Sequence, residues 1–258
     1  MVHYGETQFT LSWVVDCRRT RSDGDASLQP GRDLMCGIAG LTLLDEDLEP
    51  ELGALLTGML VALSERGPDS AGVAIYHDGQ LDVTKDVGAP EDVCDRFAIT
   101  GKPGYQGVGH TRMATESAVT RAHCHPFTPA EGVCVVHNGS FSNHATVRRR
   151  LEREGVAFDS DNDSEVAARY IAQRLAAGDD LKGALTAMAR VMDGFYTLLV
   201  TTPTEFAVHR DPIACKPAVI AQTAGYVAMA SEYRALTGLP GIRDAKVFEP
   251  TGLHAWTR

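Results

Sequence analysis

The chain has 258 residues, of which 44% are hydrophobic and 22% are charged, and its formal net charge is −10 at pH 7. This composition is typical of a globular protein with a substantial core, and the negative charge argues against a nucleic-acid-binding surface. No apolar run approaches the roughly 20 residues that a membrane helix needs, so we predict no membrane association.

The six cysteines are scattered along the chain and form no CxxC pair. This usage is typical of a reduced protein rather than of a disulfide scaffold, and we therefore predict a cytoplasmic location.

The first 34 residues differ from the rest of the chain. They mix Arg, Asp, Gly and Ser without a sustained helical or strand period, and their apolar stretch 9–15 lacks the basic region of a signal peptide. Met35-Cys36, which follows them, has the pattern of a protein start. We therefore predict a leader over 1–35 and one domain over 36–258. An upstream start assigned in error is the preferred interpretation of the leader, and a cleaved propeptide or a retained tail are the alternatives.

Cys36 has a chemistry that depends on its being the first residue of the mature chain. A cysteine exposed by removal of Met carries a thiol nucleophile and a free α-amino group. The ordinary pKa of that amine, about 7.7–8.0, suits it to act as the general base for the thiol. While Met35 is attached, the same nitrogen is an amide and cannot take a proton. The mature N-terminus therefore decides whether the chain is an enzyme.

The predicted elements are strands, then two helices, then strands again. Apolar residues at helical spacing indicate the first helix, and Asp78-Gly79 indicates a hairpin turn. In chain order we predict a strand over 36–44, a helix over 51–66, hairpin strands over 73–76 and 81–85, strands over 107–111 and 133–136, helices over 165–177 and 180–192, and strands over 196–201, 205–209, 218–221 and 226–229. This order suggests an α+β domain with packed sheets and helices outside them.

Two motifs follow predicted strands. Arg112 ends the motif GHTR, where a guanidinium is suited to bidentate capture of a carboxylate, although a surface ion pair is the plainer interpretation. Asn138-Gly139 follows the strand 133–136. If this pair enters a loop, it offers a side-chain amide and a backbone N–H of the kind that form an oxyanion hole. The plainer interpretation is an ordinary Asn-Gly turn.

Two further segments carry polar side chains. Ahead of the helix at 165–177, Ser160 or Asp161 is a candidate cap, and Asp163 is a candidate ligand for a substrate ammonium group. His123 and His125 flank a cysteine, but no further ligands lie at a recognisable spacing, and we predict no metal site.

In their order along the chain, the motifs MCGI, RGPDS, GHTRMAT, HNG and DNDSE resemble the class II glutamine amidotransferase domain, which is an N-terminal-nucleophile (Ntn) hydrolase. The resemblance runs from residue 36 to about 240 and includes the later motifs at 210–217 and 230–236. It implies a four-layer αββα sandwich.

The resemblance also implies site residues by matching position. Cys36 would be the nucleophile, Asn138 and Gly139 would form the oxyanion hole, and Arg66 would support the loop that carries Cys36. The substrate would be L-glutamine. The residues that would bind it are Arg112, Thr115 and His123 for the α-carboxylate and Asp163 for the α-ammonium group.

The same resemblance implies what happens to the ammonia released from a γ-glutamyl thioester. The motifs GHTRMATESAV, RAHCHPF and RDPIACKPAV look most like the free-standing amidotransferase subunit of glutamate-synthase-like complexes, including the N-methylglutamate synthase type. We therefore expect a separate synthase subunit that carries any FMN, and no cofactor in this chain. Two alternatives stay open: a stand-alone γ-glutamyl or amide hydrolase of the same fold and, if the leader is retained, a non-catalytic glutamine-sensing subunit.

Overall fold

Two antiparallel sheets pack face to face in this computed structural model, which describes residues 35–113 and 119–258. The strands are β1 (Gly37–Leu43), β2 (Ser70–His77), β3 (Gln80–Val87), β4 (Gln106–Arg112), β5 (Phe127–Ala130), β6 (Val133–Phe141), β7 (Gly194–Thr201), β8 (Glu205–Arg210), β9 (Val219–Gln222), β10 (Tyr226–Ala230), β11 (Lys246–Phe248) and β12 (Gly252–Thr257). The α-helices are α1 (Leu52–Val61), α2 (Pro90–Arg96), α3 (His144–Arg153), α4 (Asp163–Ala176) and α5 (Leu181–Val191). The predicted leader lies outside the described residues, except for Met35.

The larger sheet has the strand order β11-β9-β10-β1-β4-β2-β3, and the smaller has the order β12-β8-β7-β6-β5. β1 lies in the interior of the larger sheet, paired with β10 and β4. All seven residues of β1 are buried, as expected for a nearly continuous apolar run that is covered on both faces.

The side chains of β1 alternate between two hydrophobic layers. Ile38 points between the sheets and packs in one cluster with Val136 and Met229. Leu41 points the other way, into the cluster that contains the apolar face of α1. On the far side of the smaller sheet, α4 and α5 cover a third apolar cluster. The layers are therefore helix, sheet, sheet, helix, which confirms the predicted α+β four-layer αββα sandwich.

The helix predicted over 51–66 is shorter than expected. α1 ends at Val61, and Leu63 N–H then bonds to Leu60 C=O, the tighter spacing of a 3₁₀ turn. A second 3₁₀ turn, Ser64–Arg66, follows and turns the Arg66 side chain into the interior, where it is buried.

Several elements were not predicted. α3 buries only Val147 and Leu151 in an otherwise charged sequence, so its apolar period is weak. α2 has seven residues, and β5 and β11 have four and three. β5, β11 and β12 lie at sheet edges. Within the described parts of the chain, no helix is long and apolar enough to cross a membrane.

Candidate active site

A cavity of about 430 Å³ is lined by residues from the start of β1, the ends of β4 and β6 and the start of α4. This volume lies within the range of small-molecule sites. Four of the residues assigned from the sequence line it: Cys36, Arg112, Gly139 and Asp163. Asn138 is buried next to Gly139 but is not a lining residue.

Strand alternation explains why the side chains of Cys36 and Asn138 face the same space. Ile38 points between the sheets, so Cys36, two residues earlier, lies on the same side of its chain. Val136 points between the sheets from the opposite side, and Asn138, two residues later in β6, follows it. Arg112 is at the end of β4, which pairs with β1. The two inner sheet faces thus bring these three residues together.

The main chain at Cys36 is held from two directions. Arg66 Nε donates to the Cys36 carbonyl at 3.1 Å, and Arg66 Nη1 contacts Glu232 Oε1 at 2.5 Å. The Ser231 hydroxyl accepts the N–H of Ile38 at 2.9 Å. These contacts of Ser231 and Glu232 were not predicted, because the motif at 230–236 indicated only a family resemblance.

Cys36 is partly buried, and its Sγ lies 3.9 Å from the carbonyl oxygen of Met113. Burial raises its pKa, while the positive charges of Arg112 and Lys216 act in the opposite direction. Lys216, which sequence reasoning did not assign to the site, also lines the cavity. A thiol with a raised pKa is mostly protonated at neutral pH and needs a general base before it can attack.

Asn138 and Gly139 lie inside β6, so the prediction of a loop or turn at this position is wrong. Pairing with β7 continues through both residues, because Asn138 faces Thr197 and Gly139 faces Tyr196. Asn138 is 2% exposed, and its Nδ2 has no hydrogen-bond partner among the residues that the structure describes. A buried amide without a partner is a donor for which the fold itself provides no acceptor.

The backbone N–H of Gly139 points away from β7. Tyr196 donates its N–H to Asp211 Oδ2 at 2.9 Å and accepts the N–H of Asp211 at 3.1 Å, so both of its polar groups face β8. Gly139 and Tyr196 therefore form a non-hydrogen-bonded pair of the ladder. Gly139 has φ +152°, and a Cβ there would lie 2.1 Å from the carbonyl oxygen of Phe195. Only glycine fits this position.

Asp163 lies on the side to which the Gly139 N–H points. Phe141, two residues after Gly139 in β6, directs its N–H the same way and donates to Asp163 Oδ2 at 2.8 Å. Asp163 is the first residue of α4 and lines the cavity. The helix start thus presents a carboxylate on the side to which the Gly139 N–H points.

The predicted cap of this helix is wrong. Asn162 is the N-cap, and its Oδ1 accepts the N–H of Ser164 at 2.9 Å. The Ser160 hydroxyl donates instead to Glu165 at 2.7 Å, and the carboxylate of Asp161 contacts His123 at 2.6 Å. The run of Asp, Asn and Ser offered several equivalent caps, and side-chain contacts outside the segment decide between them.

The structure places His125, and not His123, at the cavity. The ring of His123 bonds to Asp161 and to Thr120 Oγ1 and does not line the cavity. His125 lines it and is buried. Thr115, which the sequence assigned beside His123, lies outside the described residues.

His125 belongs to a cluster of three buried histidines. Its ring stacks on that of His110 with centroids 3.9 Å apart, and His110 Nε2 lies 2.9 Å from the carbonyl oxygen of His137. Burial lowers the pKa of His110 to about 3 and lowers the pKa values of His125 and His137 as well. All three rings are therefore neutral at pH 7. Over 35–113 and 119–258, no group of His, Cys, Asp and Glu is arranged to hold a metal ion.

Comparisons with known proteins agree with this geometry. A family described as "Glutamine amidotransferase domain" matches residues 110–238, which is half of the chain. The glutamine amidotransferase-like protein GlxB of Rhizobium meliloti is 42% identical, over 84% of this chain and 95% of the relative. The glutamine–fructose-6-phosphate aminotransferase of Xylella fastidiosa is 37% identical, over 66% of this chain but 27% of its own length.

Among solved structures, the glutamine phosphoribosylpyrophosphate amidotransferase of B. subtilis is similar with a TM-score of 0.72. The match covers 86% of this chain and 49% of the other, so the chain spans about half the length of that enzyme. At 23% identity the similarity concerns the fold.

The buried histidines generate a prediction about acid stability. Each is neutral in the folded state but takes a proton in the unfolded chain below about pH 6.5, so their stabilising contribution is present above that pH and is lost as the pH falls below it. Between about pH 7.5 and 5.5 we expect the free energy of unfolding to fall by about 1.4 kcal/mol for His110, whose pKa of about 3 lies far below this window, and by about the same for His125. His137 and the buried His209, whose pKa values are also lowered by burial, add to the fall. Urea unfolding at the two pH values measures this.

Two variants make this test specific. His110→Asn removes one titrating group and should reduce this fall by about 1.4 kcal/mol. His77→Gln, at a histidine whose side chain is 51% exposed, should leave it unchanged. Equal stability of the wild-type protein at both pH values would contradict the prediction.

Proposed function

The chain belongs to the class II glutamine amidotransferase family, and on that premise we propose that it hydrolyses L-glutamine through a γ-glutamyl thioester on Cys36. One observation carries this proposal: the buried, unpartnered amide of Asn138 lies next to a Gly139 N–H that points out of the ladder. Two donors prepared in this way suit the oxyanion that forms when a thiolate attacks an amide carbon.

The charges around the cavity support a free amino acid as the substrate. Arg112 offers a guanidinium for the α-carboxylate and Asp163 a carboxylate for the α-ammonium group, and both line the cavity. Holding both ends of the head group fixes the side-chain amide relative to the thiol. We propose that His125 contributes to this pocket where the sequence suggested His123; the role of Thr115 stays a prediction.

In the proposed reaction, the α-amino group of Cys36 takes the thiol proton and the thiolate adds to the amide carbon of glutamine. The negative oxygen accepts hydrogen bonds from Asn138 Nδ2 and Gly139 N–H. When the intermediate collapses, the protonated α-amino group of Cys36 returns the proton to the leaving nitrogen, and ammonia departs. Water, deprotonated by the same amine, then releases glutamate and regenerates the thiol.

Kinetics of two variants test the proposed roles. Asn138→Ala should lower kcat by about 10²–10³, because the donor acts on charge that develops only in the transition state. Arg112→Ala should chiefly raise KM, by roughly 10–100-fold, because it removes a charge-assisted bond that glutamine already makes when bound. Steady-state measurement of glutamate release gives both constants.

Cys36→Ala provides the null control for these assays. It should leave no measurable turnover while retaining glutamine binding. Normal hydrolysis by Cys36→Ala protein, or a pure KM effect in Asn138→Ala, would contradict the assignment.

The mechanism requires a free amine on Cys36, and we propose that the mature chain begins there. Intact mass and N-terminal sequencing of protein expressed from its native gene context should identify Cys36 as the first residue. If Met35 is retained, the nitrogen stays an amide and cannot act as a base. Such a chain would bind glutamine without turning it over. This outcome would refute the proposed hydrolysis and favour the second candidate, a non-catalytic glutamine-sensing subunit.

We also propose that the ammonia is delivered to a separate synthase subunit of the glutamate-synthase-like type, including the N-methylglutamate synthase type. In this scheme the partner carries the FMN and this chain needs no cofactor. Similarity over 95% of the GlxB relative supports a free-standing amidotransferase subunit. Two large apolar side chains near the cavity, Phe195 (48% exposed) and Ile213 (67% exposed), support a docking surface there.

These two side chains lie on one structural unit. Tyr196, which follows Phe195, and Ile213 both donate their backbone N–H to the carboxylate of Asp211, one to each oxygen. Gly139 and Ser140, which line the cavity, belong to the strand paired with this part of β7. A partner bound here would lie against the strand that carries Gly139 and Ser140.

Ile213→Asp should weaken copurification of the partner, because a charge is then buried in an apolar contact. Product formation by the partner with glutamine as the nitrogen source should fall by at least tenfold. Glutamine hydrolysis by the isolated subunit should stay within about twofold of wild type. The matched control is Val247→Asp on β11, where the side chain is 41% exposed and belongs to an edge of the larger sheet. Full product formation by Ile213→Asp, or equal losses in both variants, would contradict the docking surface.

A further inference from the structure

Lys85 on β3 reaches from the edge of the larger sheet to the segment that carries His125. Its Nζ donates to the carbonyl oxygens of Cys124 and Pro126, each at 2.9 Å. It makes no ion pair with any residue of the described chain. Its ammonium group is therefore used on two main-chain carbonyls, one on each side of His125.

The carbonyl between these two is fixed by a different contact. Gly72 on β2 is the cross-strand neighbour of Lys85 on one side and of His110 on the other. A Cβ at Gly72 would lie 2.0 Å from the carbonyl oxygen of His125, so the segment rests directly on the backbone of β2. Three consecutive carbonyls, those of 124, 125 and 126, are thus placed by β2 and β3.

Among the described residues, the His125 ring makes aromatic contacts but no hydrogen bond. It stacks on His110 and meets the edge of Phe127 at 4.8 Å, and Lys85 Nζ lies 5.1 Å from the centre of the same Phe127 ring. Neither ring nitrogen of His125 has a hydrogen-bond partner in 35–113 or 119–258. Because the ring itself makes no directional bond there, its orientation depends on how the main chain beneath it is held.

Lys85 does not line the cavity that contains Cys36. It lines a separate cavity of about 130 Å³ together with Phe127, Glu165 and Arg169. Lys85 is thus placed behind the His125 segment, and His125 separates it from the larger cavity.

We propose that Lys85 is a positioning residue of the glutamine site: it binds the carbonyls on both sides of His125 and so fixes the orientation in which the imidazole faces the cavity. The consequence for glutamine rests on the function proposed above. The effect on the His125 ring does not, because it follows from the contacts of Lys85 alone.

The test replaces Lys85 with Met in the full-length chain. Methionine keeps an unbranched, flexible side chain but donates no hydrogen bond. The matched control is Lys102→Met, because Lys102 Nζ also reaches β3, where it binds Asp82 at 2.5 Å. Lys102 Nζ also lies 3.4 Å from Thr84 Oγ1, but its partners are side chains of β3 and not the carbonyls beside His125, and an exposed ion pair of this kind should contribute little.

Two readouts separate positioning from general stability. The first is the ¹⁵N NMR spectrum of the imidazole groups, with His125→Gln used to identify the His125 signals. Lys85→Met should shift or broaden these signals, and Lys102→Met should not. The second is glutamine turnover, in which Lys85→Met should raise KM about tenfold, the effect of one lost hydrogen bond to bound substrate, with kcat within about twofold.

A double variant shows whether Lys85 acts through His125. In the His125→Gln background, Lys85→Met should have no further effect on KM, since coupled residues are not additive. Unchanged His125 signals in Lys85→Met, or a full additional rise of KM in the double variant, would overturn the proposal. A wild-type protein without glutamine turnover would refute the proposed function, and the NMR signals would still decide the role of Lys85. If Lys85→Met does not fold, the same two readouts are measured on Lys85→Gln, in which a neutral amide group replaces the ammonium group.

Discussion

The hydrogen bond from Arg66 to the carbonyl of Cys36 is the contact on which the rest of the site depends. It lies immediately before β1, so it fixes the point at which Cys36, the proposed nucleophile, enters the sandwich. Glu232 holds Arg66 in turn and follows β10, a neighbour of β1. Because segments distant in sequence meet at this carbonyl, the thiol is positioned before any substrate arrives, which removes an entropic cost from the reaction.

The two donors proposed for the oxyanion depend on a second constraint, the carboxylate of Asp211. This carboxylate accepts the N–H of Tyr196, which therefore faces β8. Gly139 and Tyr196 are left as a non-hydrogen-bonded pair, and the Gly139 N–H points away from β7. The neighbouring Asn138 amide stays without a partner in the described structure, and a buried donor left unsatisfied costs about 1–3 kcal/mol. Keeping this amide unpaired lowers the stability of the fold. In the proposed reaction, the same amide can donate to the oxyanion without rearrangement.

The sequence predicts most of the fold because the strands of both sheets are apolar and short and the two long helices have clear periods. It fails where tertiary contacts override a local signal. Residues 137–139 contain a turn signal, yet pairing with β7 extends the strand through them. α3 escapes prediction because it buries little besides Val147 and Leu151. Nothing local distinguishes His123 from His125, since the contact of the segment with β2 decides which ring faces the cavity.

The neutral state of the buried histidines affects both the stability of the fold and the charges at the cavity. Burial lowers the pKa of His125, and the nearby charges of Lys85 and Arg112 lower it further. The ring therefore contributes polar atoms to the cavity wall without adding charge. A protonated ring would place a second cation beside Arg112 and weaken the contrast between that guanidinium and the carboxylate of Asp163. The predicted acid sensitivity of the fold is thus a consequence of keeping one positive and one negative group at the pocket, as the proposed binding of a zwitterion requires.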